Sequence, residues 1–122
     1  MQDTHISLAH GNGGRLMREL IDDIFARHLG RSSPLDTQAD AASITLPPGR
    51  QFITTDGFTV QPLEFPGGDI GTLAVHGTCN DLAVSGATPC FLTLNAFIEE
   101  GLEVALLDRL VASIARAARE TE

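Results

Sequence analysis

Residues 69 to 86 read Asp69-Ile70-Gly71-Thr72-Leu73-Ala74-Val75-His76-Gly77-Thr78-Cys79-Asn80-Asp81-Leu82-Ala83-Val84-Ser85-Gly86. Asp69 suits a helix N-cap, because its carboxylate can accept from a free N–H of the first turn. Gly86 suits the C-terminal end, where left-handed backbone is needed. The stretch between them predicts a helix over 70–85. It carries few charges and many small residues, among them Gly71, Ala74, Gly77 and Ala83. Small residues let a backbone approach closely. This helix is therefore expected to be buried, or pressed against a ligand or a second subunit. Asp81 is out of place on such a surface, since an unpaired carboxylate there is costly unless a cation or hydrogen bonds compensate.

The elements on either side follow from periodicity. Upstream, Leu16, Met17, Leu20, Ile21, Ile24, Phe25 and Leu29 recur at helical spacing, which predicts an amphipathic helix over 15–29 stopped by Gly30. Residues 31–39, polar and containing Pro34, read as a loop. Residues 40–46 and 51–55 read as two short strands joined through Pro47-Pro48-Gly49. Downstream, Cys90 to Ile98 reads as a third, buried strand ended by Glu99-Glu100-Gly101, and residues 103–119 as a last amphipathic helix. The order helix, strand, strand, helix, strand, helix predicts an α+β domain with its sheet packed on helices. A helix leaving the third strand should cross to a further strand, so the domain reads as incomplete at its C-terminus.

Composition narrows the function. A length of 122 residues fits one domain, and 43% hydrophobic with 20% charged residues is globular composition. Net charge is −8, and all eight basic residues are arginines. An acidic chain is a poor nucleic-acid binder. Without lysine there is no P-loop and no lysine Schiff base. No apolar run is long enough for a membrane span, no secretory signal opens the chain, and Cys79 and Cys90 make neither a disulfide framework nor a zinc site. A cytoplasmic location is expected. Both cysteines read as packing residues. His5, His10, His28 and His76 have no metal-ligand spacing.

Two groups could carry chemistry. Gly11-Asn12-Gly13-Gly14 opens into the first helix; it reads either as a plain flexible turn or as an anion cradle at the helix N-terminus. Asp40, Asp56 and Asp81 stand at or near element ends. They read either as capping and solvent-facing acids or as oxygen ligands for magnesium. Capping alone accounts for Asp69.

The run Thr54-Thr55-Asp56-Gly57-Phe58-Thr59-Val60-Gln61-Pro62-Leu63-Glu64-Phe65-Pro66-Gly67-Gly68-Asp69-Ile70-Gly71, then Gly77-Thr78-Cys79-Asn80-Asp81-Leu82-Ala83-Val84-Ser85-Gly86-Ala87, resembles the HypE family of hydrogenase maturation carbamoyl dehydratases. Leu8-Ala9-His10-Gly11-Asn12-Gly13-Gly14 and Phe97-Ile98-Glu99-Glu100-Gly101-Leu102 look like the same family. Its wider superfamily includes aminoimidazole ribonucleotide synthetase and selenophosphate synthetase. The resemblance implies that residues 1–122 form an N-terminal ATP-binding domain, truncated, whose sheet pairs with a second copy into a barrel. Carried over residue by residue, it implies magnesium ligands at Asp40, Asp56 and Asp81. It implies nucleotide contacts at Gly11, Asn12, Gly13, Gly14, Asn80 and Asp81, with the glycine-rich segment 1–14 closing over the phosphates. In the family, a C-terminal cysteine takes a carbamoyl group from a HypF-like carbamoyltransferase. ATP-driven dehydration leaves a thiocyanate, and cyanide passes on to the iron through HypC- and HypD-like partners. That cysteine and the second domain have no counterpart in residues 1–122, so no catalytic residue is expected here and the chain alone is expected to be inactive. A selenophosphate synthetase would be expected to carry a reactive cysteine or selenocysteine and a lysine near its glycine loop, and this chain has neither there. A non-catalytic dimerisation module is the reading from a different class.

Overall fold

The predicted first helix forms, but in three registers. α1 runs Arg15–Leu20, a π-helical segment spans Ile21–Ala26, and α2 closes with Arg27–Leu29. Its apolar stripe is used as the spacing requires, with Leu20 and Ile24 buried. Two small strands follow, β1 at Glu64–Phe65 and β2 at Gly68–Asp69, paired antiparallel. α3 spans Ile70–Val84 and α4 spans Val104–Glu120. This computed structural model describes residues 1–30 and 36–121. The portion of the predicted loop at 31–35, with Pro34, lies outside the described residues.

Both ends of α3 obey local chemistry. Asp69 Oδ1 accepts from Thr72 N at 2.9 Å and Asp69 N donates to Thr72 Oγ1 at 3.0 Å, a reciprocal capping box. At the other end Gly86 adopts φ +82, Gly86 N donates to Ala83 O at 3.0 Å and Ala87 N to Leu82 O at 2.9 Å. That is the Schellman pattern, and its left-handed residue is the predicted glycine.

The described chain divides into two units, Met1–Ile44 with Asn95–Ala112, and Thr45–Leu94 with Ser113–Glu122. In the first, Ile6, Leu20, Ile24, Leu107 and Val111 form the core. The N-terminal segment is fastened to residues 101–104: Ile6 N donates to Leu102 O at 2.8 Å, Gly101 N to Ile6 O at 2.8 Å and Val104 N to Thr4 O at 2.9 Å. Arg27 and His28 of α2 reach Asp108 of α4, with His28 Nε2 at 2.8 Å from its Oδ1. In the second unit, Val75, Cys79 and Ala117 form a smaller core against Ile114.

The predicted sheet needs correction. Residues 40–46, 51–55 and 90–98 form no ladder, so the expected sheet packed on helices is replaced by helices with the small β1–β2 pair. These segments are mostly exposed, as Ile44, Leu46, Phe52, Ile53, Phe91, Leu92, Leu94 and Phe97 demonstrate. A ladder needs a neighbour for every N–H and C=O along one edge, and among the described residues none pairs with them. Cys90, expected in a buried strand, is exposed for the same reason, whereas Cys79 is buried. α3 is also less enclosed than expected: Gly71, Val75 and Cys79 are buried along one stripe, but Leu73 and Val84 are exposed.

Candidate functional site

The glycine-rich segment is built on a fixed approach. Leu8–Gly11 forms a 3-10 turn in which His10 is only 3% exposed. Ser7 N donates to His10 Nδ1 at 2.9 Å, so the ring proton of the neutral imidazole resides on Nε2, which faces Asp3 Oδ2 at 3.0 Å. After His10 the surroundings change. Gly11, Asn12, Gly13 and Gly14 are all exposed, and a side chain placed at Gly11 or Gly13 would meet open space. Gly13 holds φ +82, and Asn12 Oδ1 accepts from Gly14 N at 3.2 Å just before α1 begins. The segment is exposed but internally bonded: Asn12 N also donates to Ala9 O at 3.5 Å, a long bond that an approaching anion would have to replace.

In the second unit, Asn80 and Asp81 are exposed near the end of α3. Their neighbour Cys79 faces inward, which turns the following two side chains toward solvent. Asp56 is also exposed, with Oδ1 accepting from Gly57 N at 2.8 Å. Asp40 belongs to the first unit, three positions after Thr37, whose carbonyl accepts from Arg18 Nη2 at 2.8 Å. Among the described residues none of the three aspartates forms an ion pair.

Hard, solvent-facing carboxylate oxygens are suitable donors for magnesium. Among the described residues no three His, Cys, Asp or Glu side chains are grouped to hold a metal ion. Magnesium ordinarily takes one or two carboxylates and completes its shell with water and substrate phosphates. The donors thus fit the ion in kind, with the phosphates left to supply the remaining oxygens.

A family model described as AIR synthase related protein, N-terminal domain, matches residues 38–122. The chain belongs to the AIR synthase related family. The matched part of this family member contains Asp40, Asp56, Asn80 and Asp81, and the glycine segment precedes it. Curated relatives extend the likeness upstream. The chain is 50% identical over 120 residues to carbamoyl dehydratase HypE of Azotobacter vinelandii, covering 98% of this chain and 35% of that protein. It is 48% identical to the HypE of Rhodobacter capsulatus, covering 97% and 35%, and 41% identical to that of Escherichia coli K12, covering 94% and 35%. The chain thus spans about a third of the length of the curated relatives it matches. No solved structure matches it significantly.

An open groove of about 1050 Å³ in the first unit of this family member includes Asp3, Asp22, Asp23, Arg27, Glu103 and Asp108 in its lining. None of the sequence-predicted site residues lines it. Sequence spacing also missed the His10–Asp3 and His28–Asp108 pairs, because only tertiary folding brings residues 28 and 108 together. A signal for the first lay in Ser7-x-x-His10, the spacing of a capping box with histidine in the reaching position. No described helix is long and apolar enough to cross a membrane.

Proposed function

We propose that this chain is the nucleotide- and magnesium-binding, dimer-forming portion of a carbamoyl dehydratase that serves [NiFe]-hydrogenase maturation in the cytoplasm. The observation that carries the reading is the likeness, over 97–98% of this chain, to proteins named carbamoyl dehydratase HypE. It is supported by Asp81 on α3, exposed beside Asn80 and, among the described residues, in no ion pair.

In this reading Gly11, Asn12, Gly13 and Gly14 close over the triphosphate with their backbone N–H groups. Asp40, Asp56 and Asp81 supply carboxylate oxygens to Mg2+, and Asn80 helps to hold the nucleotide. Magnesium, when bound, neutralises charge that develops on the phosphates. The aspartates do no acid–base work. They hold the ion while the carbamoyl oxygen of a protein S-carbamoyl group takes the γ-phosphoryl group and ADP leaves. Phosphorylation converts a poor leaving oxygen into a good one; the carbamoyl nitrogen gives up its two protons to water as the C–O bond breaks, phosphate departs and the thiocyanate remains. The cysteine that carries the group belongs to the family's C-terminal segment, and its carbamoyl donor is a HypF-like protein. HypC- and HypD-like proteins receive the cyanide.

Titration calorimetry tests the reading. ATP is expected to bind the wild-type chain only with magnesium present, and Asp81→Ala to weaken that binding about tenfold or more, equivalent to ~1.4 kcal/mol. Magnesium-independent binding, or an unchanged affinity in the variant, overturns it. A second reading, a dimerisation module that has lost nucleotide binding, uses the same exposed apolar segments around Ile53 and Phe97 for association. It predicts association without any ATP binding.

A further inference from the structure

We infer that His10 is a positioning residue, the fixed post from which the glycine strap Gly11–Gly14 turns; this deepens, and rests on, the proposed closure of that strap over a nucleotide. The boundary at His10 is abrupt. Upstream, the chain is held: Ile6 is buried and tied to Leu102 and Gly101, and Leu8 N approaches Glu100 Oε2 at 3.4 Å. His10 completes the anchorage with both ring nitrogens. Nδ1 accepts from Ser7 N at 2.9 Å with Ser7 Oγ at 3.2 Å, and Nε2 donates to Asp3 Oδ2 at 3.0 Å. Downstream, Arg18 N donates to Gly14 O at 3.1 Å and the helix takes over. Between these two supports lie Gly11, Asn12 and Gly13; a Cβ at either glycine would meet open space, and the span is held only by Asn12 N to Ala9 O at 3.5 Å and Gly14 N to Asn12 Oδ1 at 3.2 Å. A strap that closes on a ligand needs its free residues bounded by residues that do not move, so that ordering costs only the short span between them.

The imidazole suits this post because one ring satisfies an acceptor need and a donor need at once, in a fixed plane. A residue that fills the same space without these atoms leaves Ser7 N and the Asp3 carboxylate without their partner. The strap then begins several residues earlier, near Ser7 rather than Gly11.

Amide hydrogen exchange over residues 4–20, with and without MgATP, tests this in the wild type and in His10→Ala, His10→Asn and His10→Gln, with the melting temperature measured in parallel. Asn can place its Oδ1 where Nδ1 accepts, and Gln can place its Nε2 where the ring donates to Asp3. In His10→Ala, exchange of the Ser7 and His10 amides is expected to rise roughly tenfold without nucleotide, the loss of about one hydrogen bond. His10→Asn is expected to restore most of the Ser7 protection, and His10→Gln less. MgATP is expected to protect residues 11–14 in the wild type, and less so in His10→Ala even where the melting temperatures agree. Equal exchange in wild type and His10→Ala overturns the inference, as does His10→Asn behaving like alanine. Faster exchange in His10→Ala, with no MgATP protection in any variant, would sustain the post and overturn only the nucleotide reading.

Discussion

Gly77 of α3 stands against the outer end of the Phe58 ring: a Cβ built on Gly77 would lie 2.6 Å from Phe58 Cζ and 2.8 Å from Cε1. The glycine is there for the aromatic ring, at the expense of helix propensity. Alanine at an open helix-interior site would stabilise by up to about 1 kcal/mol relative to glycine. Here the ring must move instead, and overpacking costs about 1–3 kcal/mol. Gly77→Ala is therefore expected to destabilise. Urea unfolding checks the sign, and Phe58→Ala in the same chain should remove most of the penalty, because the two residues are in contact and their effects do not add.

Asp69 offers a cleaner local test. It is 7% exposed and its carboxylate accepts from Thr72 N. Asp69→Ala should cost about 1–2 kcal/mol by leaving that donor unsatisfied. Asp69→Asn keeps a side-chain oxygen and should retain most of the stability. Denaturant midpoints of the two variants decide the matter.

Asp108 links stability to pH. Burial by itself raises its carboxyl pKa, but hydrogen bonds from His28 and Arg27, together with their charges, outweigh it and hold the group below the ordinary value of 3.8. A depressed folded-state pKa means that the contribution is fully present above the unfolded value and is lost as pH falls through the folded one. With a third of the side chain exposed, screening keeps this contribution small, at about 0.5–1 kcal/mol. Asp108→Asn should lower stability by that amount near neutrality. The difference from wild type should vanish once the pH is well below 3.8, as followed by urea unfolding across an acid series.

Ile53 and Phe97 are 98% and 99% exposed in segments without ladder partners. If a second copy covers them, Ile53→Ser and Phe97→Ser should each weaken self-association about tenfold or more, since a buried side chain of this kind contributes about 1.5–3 kcal/mol. Neither change should alter monomer stability by more than about 0.5 kcal/mol, because these side chains are solvent-facing within one chain. Sedimentation velocity over a concentration series measures both arms. A wild-type chain that stays monomeric at every concentration rejects the dimer.

What residues 1–122 determined by themselves was local. Asp69 and Gly86 bracketed α3 because caps depend on the chemistry of one residue and its next few neighbours. The apolar period of Leu20, Ile24, Leu107 and Val111 placed two further helices and their inner faces. The Thr55-Asp56 and Asn80-Asp81 elements mark the AIR synthase related family to which the chain belongs.

Tertiary structure decided the rest. Apolar content at 40–46, 51–55 and 90–98 states that a surface needs covering, but pairing is a property of two strands, and within the described chain the second is not there. The partner of His28 lies on α4, eighty positions away. His10 became an anchored residue only through its bonds to Ser7 and Asp3. Periodicity reports which side of an element avoids water; it carries no information about what arrives on that side, because long-range contacts are set by the whole chain's packing and not by any one stretch of it.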